Sequence, residues 1–319
     1  MNGILAALRR GLAGGNRRLL GASLGTLTAL LALVSVAIPT TARAESIAYG
    51  QGLLWRVETP GARPSYLFGT IHLSDPRVTD LPRPVTDALA DVDSLSVELV
   101  LDGATQQQLA SRMMLTGGRT LDSIVGKALF SDVVAAARPY GLPEAALRVF
   151  EPWAVMAVLS IPPEELARSM SGQPSVDQLL QNIATANGIR LIALETVDEQ
   201  VEALGGMSDA DEIEMLRQTV EQQSMLPAMV ERMVGHYLDR DLGGLHAFML
   251  EQSVGDDPAL LDRFLDRILD VRNRRMADRM AGALAEGNAF VAVGALHLPG
   301  DTGLLRLLEQ RGHTVSRIY

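Results

Sequence analysis

The chain of 319 residues has no cysteine, a single lysine (Lys127), and only 4% Phe, Trp and Tyr together. Without cysteine there is no disulfide and no thiolate ligand, so a metal site has to be assembled from histidine and carboxylate. Histidine is itself scarce, at five copies. Basic charge is also thin outside the start of the chain. The first 44 residues carry five of the 28 Lys and Arg and none of the 38 Asp and Glu, leaving 23 basic against 38 acidic groups, a net charge of −15. So acidic a body argues against nucleic acid or an anionic membrane surface as partner.

What is present begins with a leader. Arg9, Arg10, Arg17 and Arg18 form a positive segment, residues 19–38 are almost wholly apolar or small, and Ala42-Arg43-Ala44 supplies an A-x-A cleavage pattern before Glu45. The expectation is a signal peptide over residues 1–44, cleaved after Ala44, and a periplasmic or secreted protein with no stable membrane span after cleavage. An uncleaved anchor is the alternative, since the apolar stretch approaches spanning length. Asn16-Arg17-Arg18-Leu19-Leu20 hints at twin-arginine export. No Cys follows the apolar stretch, which excludes a lipid-modified leader.

Residues 45–319 then read as one α/β domain. Alternation over 53–58, the turn Thr59-Pro60-Gly61-Ala62-Arg63-Pro64 and a return at 65–68 predict a hairpin. Further strands are expected at 94–101, 190–194, 289–293 and 314–319. Helical patterns fill 85–90, 105–186 and 208–286, with breaks near Pro227 and Gly255-Asp256-Asp257-Pro258, and a last helix spans 302–311. Thr196-Val197-Asp198-Glu199 is a capping box that starts a helix. The pattern is a mixed central sheet built from both chain ends, with a large helical insertion between them.

Two segments resemble each other. Gly69-Thr70-Ile71-His72 follows the apolar run Tyr66-Leu67-Phe68, and Gly294-Ala295-Leu296-His297 follows Phe290-Val291-Ala292-Val293; each His precedes a Leu. Both histidines should stand where a strand leaves its sheet, a usual place for ligand groups in α/β folds. Other polar residues break apolar patterns. Glu98 interrupts the strand expected at 94–101, where a solvent-facing position is equally consistent with the alternation. Glu195 ends the strand at 190–194, as a third polar group at a strand end or as a helix-dipole partner. On the helix expected over 262–286, Arg272 and Asn273 fall in the apolar stripe of Ile268, Leu269 and Met276. A buried arginine requires an anionic partner or ligand, either a salt bridge to Glu98 or Glu195 or a bound anion. Asp177 reads as a dipole residue behind the N-cap Ser175. His236, His246 and His313 read as structural or surface groups, and the 13 Met as packing.

Taken in order, these residues resemble the TraB/PrgY/GumN family, and its bacterial GumN-like branch in particular, which is related to the Tiki metalloproteases. The matching blocks are Tyr66 to Leu73, the strand ending Ser96-Val97-Glu98, Glu151-Pro152-Trp153-Ala154, Gly172 to Asp177, Leu194 to Gln200, Arg272-Asn273, and Phe290 to Gly300 followed by Gly303-Leu304-Leu305. The resemblance implies a fold shared with erythromycin-esterase-like and ChaN-like proteins and, from the Tiki branch, metal-dependent peptide hydrolysis. It places His72, His297 and Glu98 as metal ligands and Glu98, Glu195, Arg272 and Asn273 as catalytic groups. The expected cofactor is a divalent ion, Mn²⁺, Co²⁺ or Zn²⁺. The expected substrate is a peptide or another small molecule of the cell envelope, with one glutamate completing the shell, the other serving as base, and Arg272 facing the developing oxyanion. Two alternatives remain open at this point: a non-catalytic peptide- or glycan-binding or accessory protein for polysaccharide production, and metal-independent hydrolysis by His72 and Glu98.

Overall fold

The computed structural model describes residues 47–252 and 258–319. The leader expected over residues 1–44 and the break expected at residues 255–257 lie outside the described residues.

Six strands form one mixed sheet: β1 (Leu54–Glu58), β2 (Ser65–Thr70), β3 (Ser94–Val97), β4 (Arg190–Ala193), β5 (Ala289–Gly294) and β6 (Thr314–Arg317), in the order β4-β3-β5-β2-β1-β6. The hairpin β1–β2 is antiparallel, as the turn between the two runs predicts, and β6 closes the edge antiparallel to β1. The other four strands run parallel, with β2 beside β5, β5 beside β3 and β3 beside β4. The central strands β3 and β5 are buried at every position. That is why they read as continuous apolar runs rather than as alternating ones.

The apolar side chains divide into two clusters. One lies on the sheet and joins Leu67, Phe68, Leu95, Phe290 and Val291 to the helix Val271–Glu286 through Met276, Met280 and Leu284. The other lies within the helical insertion, around Leu121, Val133, Trp153, Met156 and Leu216. Each such fully buried side chain contributes about 1.5–3 kcal/mol.

Two local features differ from the sequence expectation. Strand β3 stops at Val97, so Glu98 stands just beyond the strand instead of within it. The break expected near Pro227 falls between the helices Asp209–Glu221 and Leu226–Leu238, and proline opens the second, because it is accommodated in a first turn whose N–H groups have no intrahelical acceptor. The helix expected over 262–286 begins at Pro258 and contains a π turn at Asp266–Asp270, in which Val271 N–H bonds to Asp266 O. Ahead of this turn Leu260 and Phe264 pack into the insertion; after it Met276 and Met280 pack on the sheet. The wide turn lets one helical run serve two cores. The Thr196 capping box forms as expected, with Glu199 N–H donating to Thr196 Oγ1 and Thr196 N–H to Glu199 Oε2.

Among the described residues no helix is long and apolar enough to cross a membrane.

Candidate functional site

The four parallel strands all end at the same edge, and each delivers one polar group there. In sheet order these are Glu195 after β4, Glu98 after β3, His297 after β5 and His72 after β2. Parallel neighbours share a direction, so their carboxyl ends line one crevice, the place where α/β sheets bind ligands. The two Gly-x-x-His segments are side by side with a one-residue stagger: Gly69 pairs with Val293, and Thr70 with Gly294. Glu98 and Glu195 are tied through the backbone, Glu195 N–H donating to Glu98 O at 2.9 Å.

All four groups are buried, and so are Arg272 and Asn273. His72 directs Nδ1 to Asp177 Oδ2 at 2.6 Å, while Thr70 Oγ1 donates to Asp177 Oδ1 at 2.7 Å. Residues i and i+2 of an extended chain point to one side, so the strand end presents Thr70 and His72 together to one carboxylate. His297 Nδ1 lies 2.7 Å from Asn273 Oδ1, and Asn273 Nδ2 donates to Thr302 O at 3.0 Å. This orientation of the amide makes His297 Nδ1 the protonated nitrogen and leaves Nε2 with a lone pair.

With both Nδ1 atoms held, the two Nε2 atoms face the same carboxylate oxygen. Glu98 Oε1 is 3.9 Å from His72 Nε2 and 3.8 Å from His297 Nε2, and it accepts Gly294 N–H at 2.7 Å. His72 Nε2 is buried without a hydrogen-bond partner among the described residues. Gly294 leaves the hollow between these groups open: a Cβ there would sit 3.3 Å from Glu98 Oε1 and 3.5 Å from His72 Nε2 and His297 Cδ2. Gly69 has a separate packing role, since a Cβ on it would meet Ala295 Cα at 3.0 Å.

Among the described residues no three His, Asp or Glu side chains stand close enough together to hold an ion as placed. The donor set is nonetheless suited to one. Two bonds of about 2.1 Å span about 4 Å at most, so separations of 3.8 and 3.9 Å are within reach of a shared cation at a wide angle. An orphaned imidazole nitrogen, a carboxylate oxygen and an open hollow between them, with Asp177 and Asn273 behind the rings, form the outer-shell arrangement that orients metal-binding histidines.

Behind Glu98 lies a buried ion cluster. Arg272 Nη2 donates to Glu98 Oε2 and to Glu195 Oε2, both at 2.6 Å, and its Nε bonds the Glu195 carboxylate at 3.0–3.1 Å. Its Nη1 donates to Ile268 O, a carbonyl of the π turn, at 3.2 Å. That leaves one Nη1 hydrogen with no partner among the described residues. Gln200 Nε2 bridges Glu98 Oε2 and Glu195 Oε2 at 3.4 and 3.2 Å. Arg272 thus meets both glutamates, and Glu195 faces that guanidinium, Gln200 and, at 3.5 Å, Arg275 Nη1.

The charges act unequally on the two rings. Burial pulls the His72 pKa down, but Asp177 and Glu98 outweigh it and raise the value to about 9. Burial, joined by the nearby Arg272, lowers that of His297 to about 3. Burial alone would raise Glu98; Arg272, both histidines and the Gly294 N–H overcome it and hold the carboxyl well below the usual range. Arg272 stays protonated against burial because two carboxylates surround it.

Every residue singled out from the sequence for this site is here. Three more were not singled out: Asp177, Thr70 and Gln200. Asp177 does occupy the first turn of the helix Val176–Ala186 behind the Ser175 capping box, as its local pattern indicates. Its carboxylate also serves His72, and the available signal was Thr70, a hydroxyl at the end of a buried strand that needs an acceptor. His236 instead pairs with Asp241 at 3.0 Å, and His313 with Thr59 at 2.9 Å.

A cleft of about 60 Å³ opens beside His297, several times the roughly 10–15 Å³ that one water needs. His297, Arg272, Thr70 and Gly294 line its polar part, and aliphatic and methionine side chains line the rest.

The sequence profile of the TraB/PrgY/gumN family matches residues 53–317. Among curated proteins, the chain is similar to metalloprotease TIKI2 of Danio rerio, 28% identical over 82% of this chain and 60% of that protein. It is similar to TIKI2 of Xenopus tropicalis, 27% identical over 79% and 57%. Human metalloprotease TIKI1 is 26% identical over 82% and 61%. The chain therefore spans about three fifths of the length of these relatives. No solved structure matches it at a significant level.

Proposed function

The chain belongs to the TraB/PrgY/gumN family, and on that footing we propose that it is a metal-dependent, peptidase-like hydrolase of the cell envelope. One observation carries the reading: His72 Nε2 and His297 Nε2 face one oxygen of Glu98 across a hollow that Gly294 keeps open. The names of the relatives, metalloproteases, support the same class. The envelope location draws on the leader pattern in residues 1–44.

In this reading His72, His297 and Glu98 hold a divalent ion of the Mn²⁺, Co²⁺ or Zn²⁺ type, which supplies Lewis acidity toward a carbonyl oxygen and toward water. The rest is the work of the chain. Asp177 and Asn273 hold the Nδ1 atoms and so turn both Nε2 atoms inward; on taking an ion there, His72 would give up the second proton that it carries at neutral pH. Glu98, held ionised by Arg272, fits a donor better than a base. Glu195, with both oxygens on Arg272, anchors the guanidinium; acting as a base would require it to leave that partner. The remaining Nη1 hydrogen of Arg272, on a residue that lines the cleft, is available to a carbonyl oxygen gaining negative charge. The substrate is a peptide or another small envelope molecule.

The test is peptide hydrolysis by the purified protein together with its metal content. Chelation should stop hydrolysis and Mn²⁺ restore it. His72→Ala and His297→Ala should each abolish turnover and lose the bound ion while thermal melting persists. Full activity in both variants overturns the proposal, and peptide binding without products favours a binding module instead.

A further inference from the structure

We infer that the cleft beside His297 selects its substrate by an uncharged, aliphatic or thioether side chain next to the bond that is cut. The inference rests on the hydrolase reading and concerns which peptides it favours. One wall comes from Met233 of the helix Leu226–Leu238 and from Leu245 and Met249 of the helix Leu242–Gln252. The opposite wall comes from Ile268 and Leu269 in the π turn, and Leu296 closes it from within the second Gly-x-x-His segment. Met233, Ile268, Leu269 and Leu296 are partly exposed, so the apolar wall is reachable from solvent and continues directly to His297 and Gly294.

Among the described residues no carboxylate lines this cleft, and the one cation there, Arg272, is already met by Glu98 and Glu195. A Lys side chain entering would lose its hydration and find no counter-charge, and an Asp would meet only a guanidinium already balanced by two carboxylates. A hydrocarbon side chain would exchange water for apolar wall. The two methionines have flexible, polarisable side chains, so the wall adapts to Leu, Met or Val rather than to one shape. Hydrophobic pockets of this kind discriminate by about 10–200-fold for small changes in side-chain size.

The experiment uses the full-length, metal-loaded protein and a set of fluorogenic peptides differing only at the residue beside the cut, as Leu, Met, Ala, Lys or Asp. kcat/KM for Leu and Met should exceed that for Ala by about tenfold and that for Lys or Asp by about 100-fold. Met233→Glu, at a partly exposed position, should reduce the Leu-over-Lys ratio by about tenfold. Binding of the same peptides to chelator-treated protein, read by calorimetry, gives a readout independent of turnover. Hydrolysis without preference, or with preference for Lys or Asp, overturns the inference and leaves the hydrolase reading standing. Leu-selective binding that Met233→Glu removes, in a protein that cuts nothing, does the reverse. Neither binding nor cutting of the apolar peptides removes both.

Discussion

His72 and His297 leave adjacent parallel strands through similar Gly-x-x-His segments, yet the first is backed by the Asp177 carboxylate and the second by the Asn273 amide. The difference extends to the neighbours. Thr70 supplies a hydroxyl to Asp177 on one side, whereas Ala295, in the corresponding position, has nothing to offer an acceptor. Arg272 weighs on both rings, but only His72 has a carboxylate of its own to offset it. The outcome is one imidazole pushed up to about 9 and one pushed down to about 3 within a single site. A repeated backbone motif therefore fixes where a nitrogen stands, and the residue behind the ring decides how basic that nitrogen is.

The largest effect expected from disturbing this contrast comes from Arg272. Arg272→Met leaves the buried Glu98 carboxylate without its cation and Glu195 with only Arg275, 3.5 Å away, and should cost about 3–5 kcal/mol of stability in urea unfolding. It should also move His297 upward toward an ordinary imidazole pKa in an NMR titration. An unchanged unfolding midpoint would show that the cluster is compensated by other groups.

Gly294→Ala addresses the hollow that the two rings share. The backbone there, φ −51° and ψ 136°, suits alanine, so folding should be spared and the melting temperature nearly constant. The added methyl would occupy the space between Glu98 and the histidines, lowering metal content and turnover by about 100-fold, or about 2.7 kcal/mol. Retained turnover in a normally folded variant would place the reacting groups elsewhere.

Asp177→Asn makes the two sides alike. Metal affinity should fall by about 10–100-fold, and Asn273→Ala on the other side should fall toward the lower end of that range. Equal losses in the two variants, measured by competition with a chelator, would mean that the carboxylate confers nothing beyond orientation.

The smallest effects are in the pH dependence of stability of the metal-free protein. His72 has a folded pKa of about 9, above its unfolded value, so its contribution is complete below about pH 6.5 and is lost as pH rises toward 9. His297 has a folded pKa of about 3, below its unfolded value. Its contribution is present above about pH 6.5 and is lost as pH falls toward 3. Thermal melts across this range should decline on both sides, and Asp177→Asn should flatten the alkaline decline alone.

Much of this was legible in the chain itself. Apolar runs and alternation located the strands, and the repeated Gly-x-x-His placed two histidines at strand ends. Helical phase put Arg272 and Asn273 on a buried stripe, where both are found. Glu98 was harder, because Leu99 and Leu101 prolong the apolar alternation past the point where pairing stops at Val97. Asp177 was not recognised, because its position behind Ser175 fully satisfies a local explanation. Its second role arises only when the helix Val176–Ala186 docks against the end of β2. The π turn is equally invisible in periodicity, since a single extra residue shifts the phase without interrupting the run of Leu, Phe and Ile.

The parallel pairing of β2 with β5 also has a consequence for timing. Synthesis produces His72 225 residues before His297, and the hollow exists only once β5 has slotted between β2 and β3. Such long-range closure is slow relative to local helix formation. A nascent or truncated chain lacking β5 would hold Glu98 and His72 but not the paired histidines, so the hollow is withheld until the sheet is assembled.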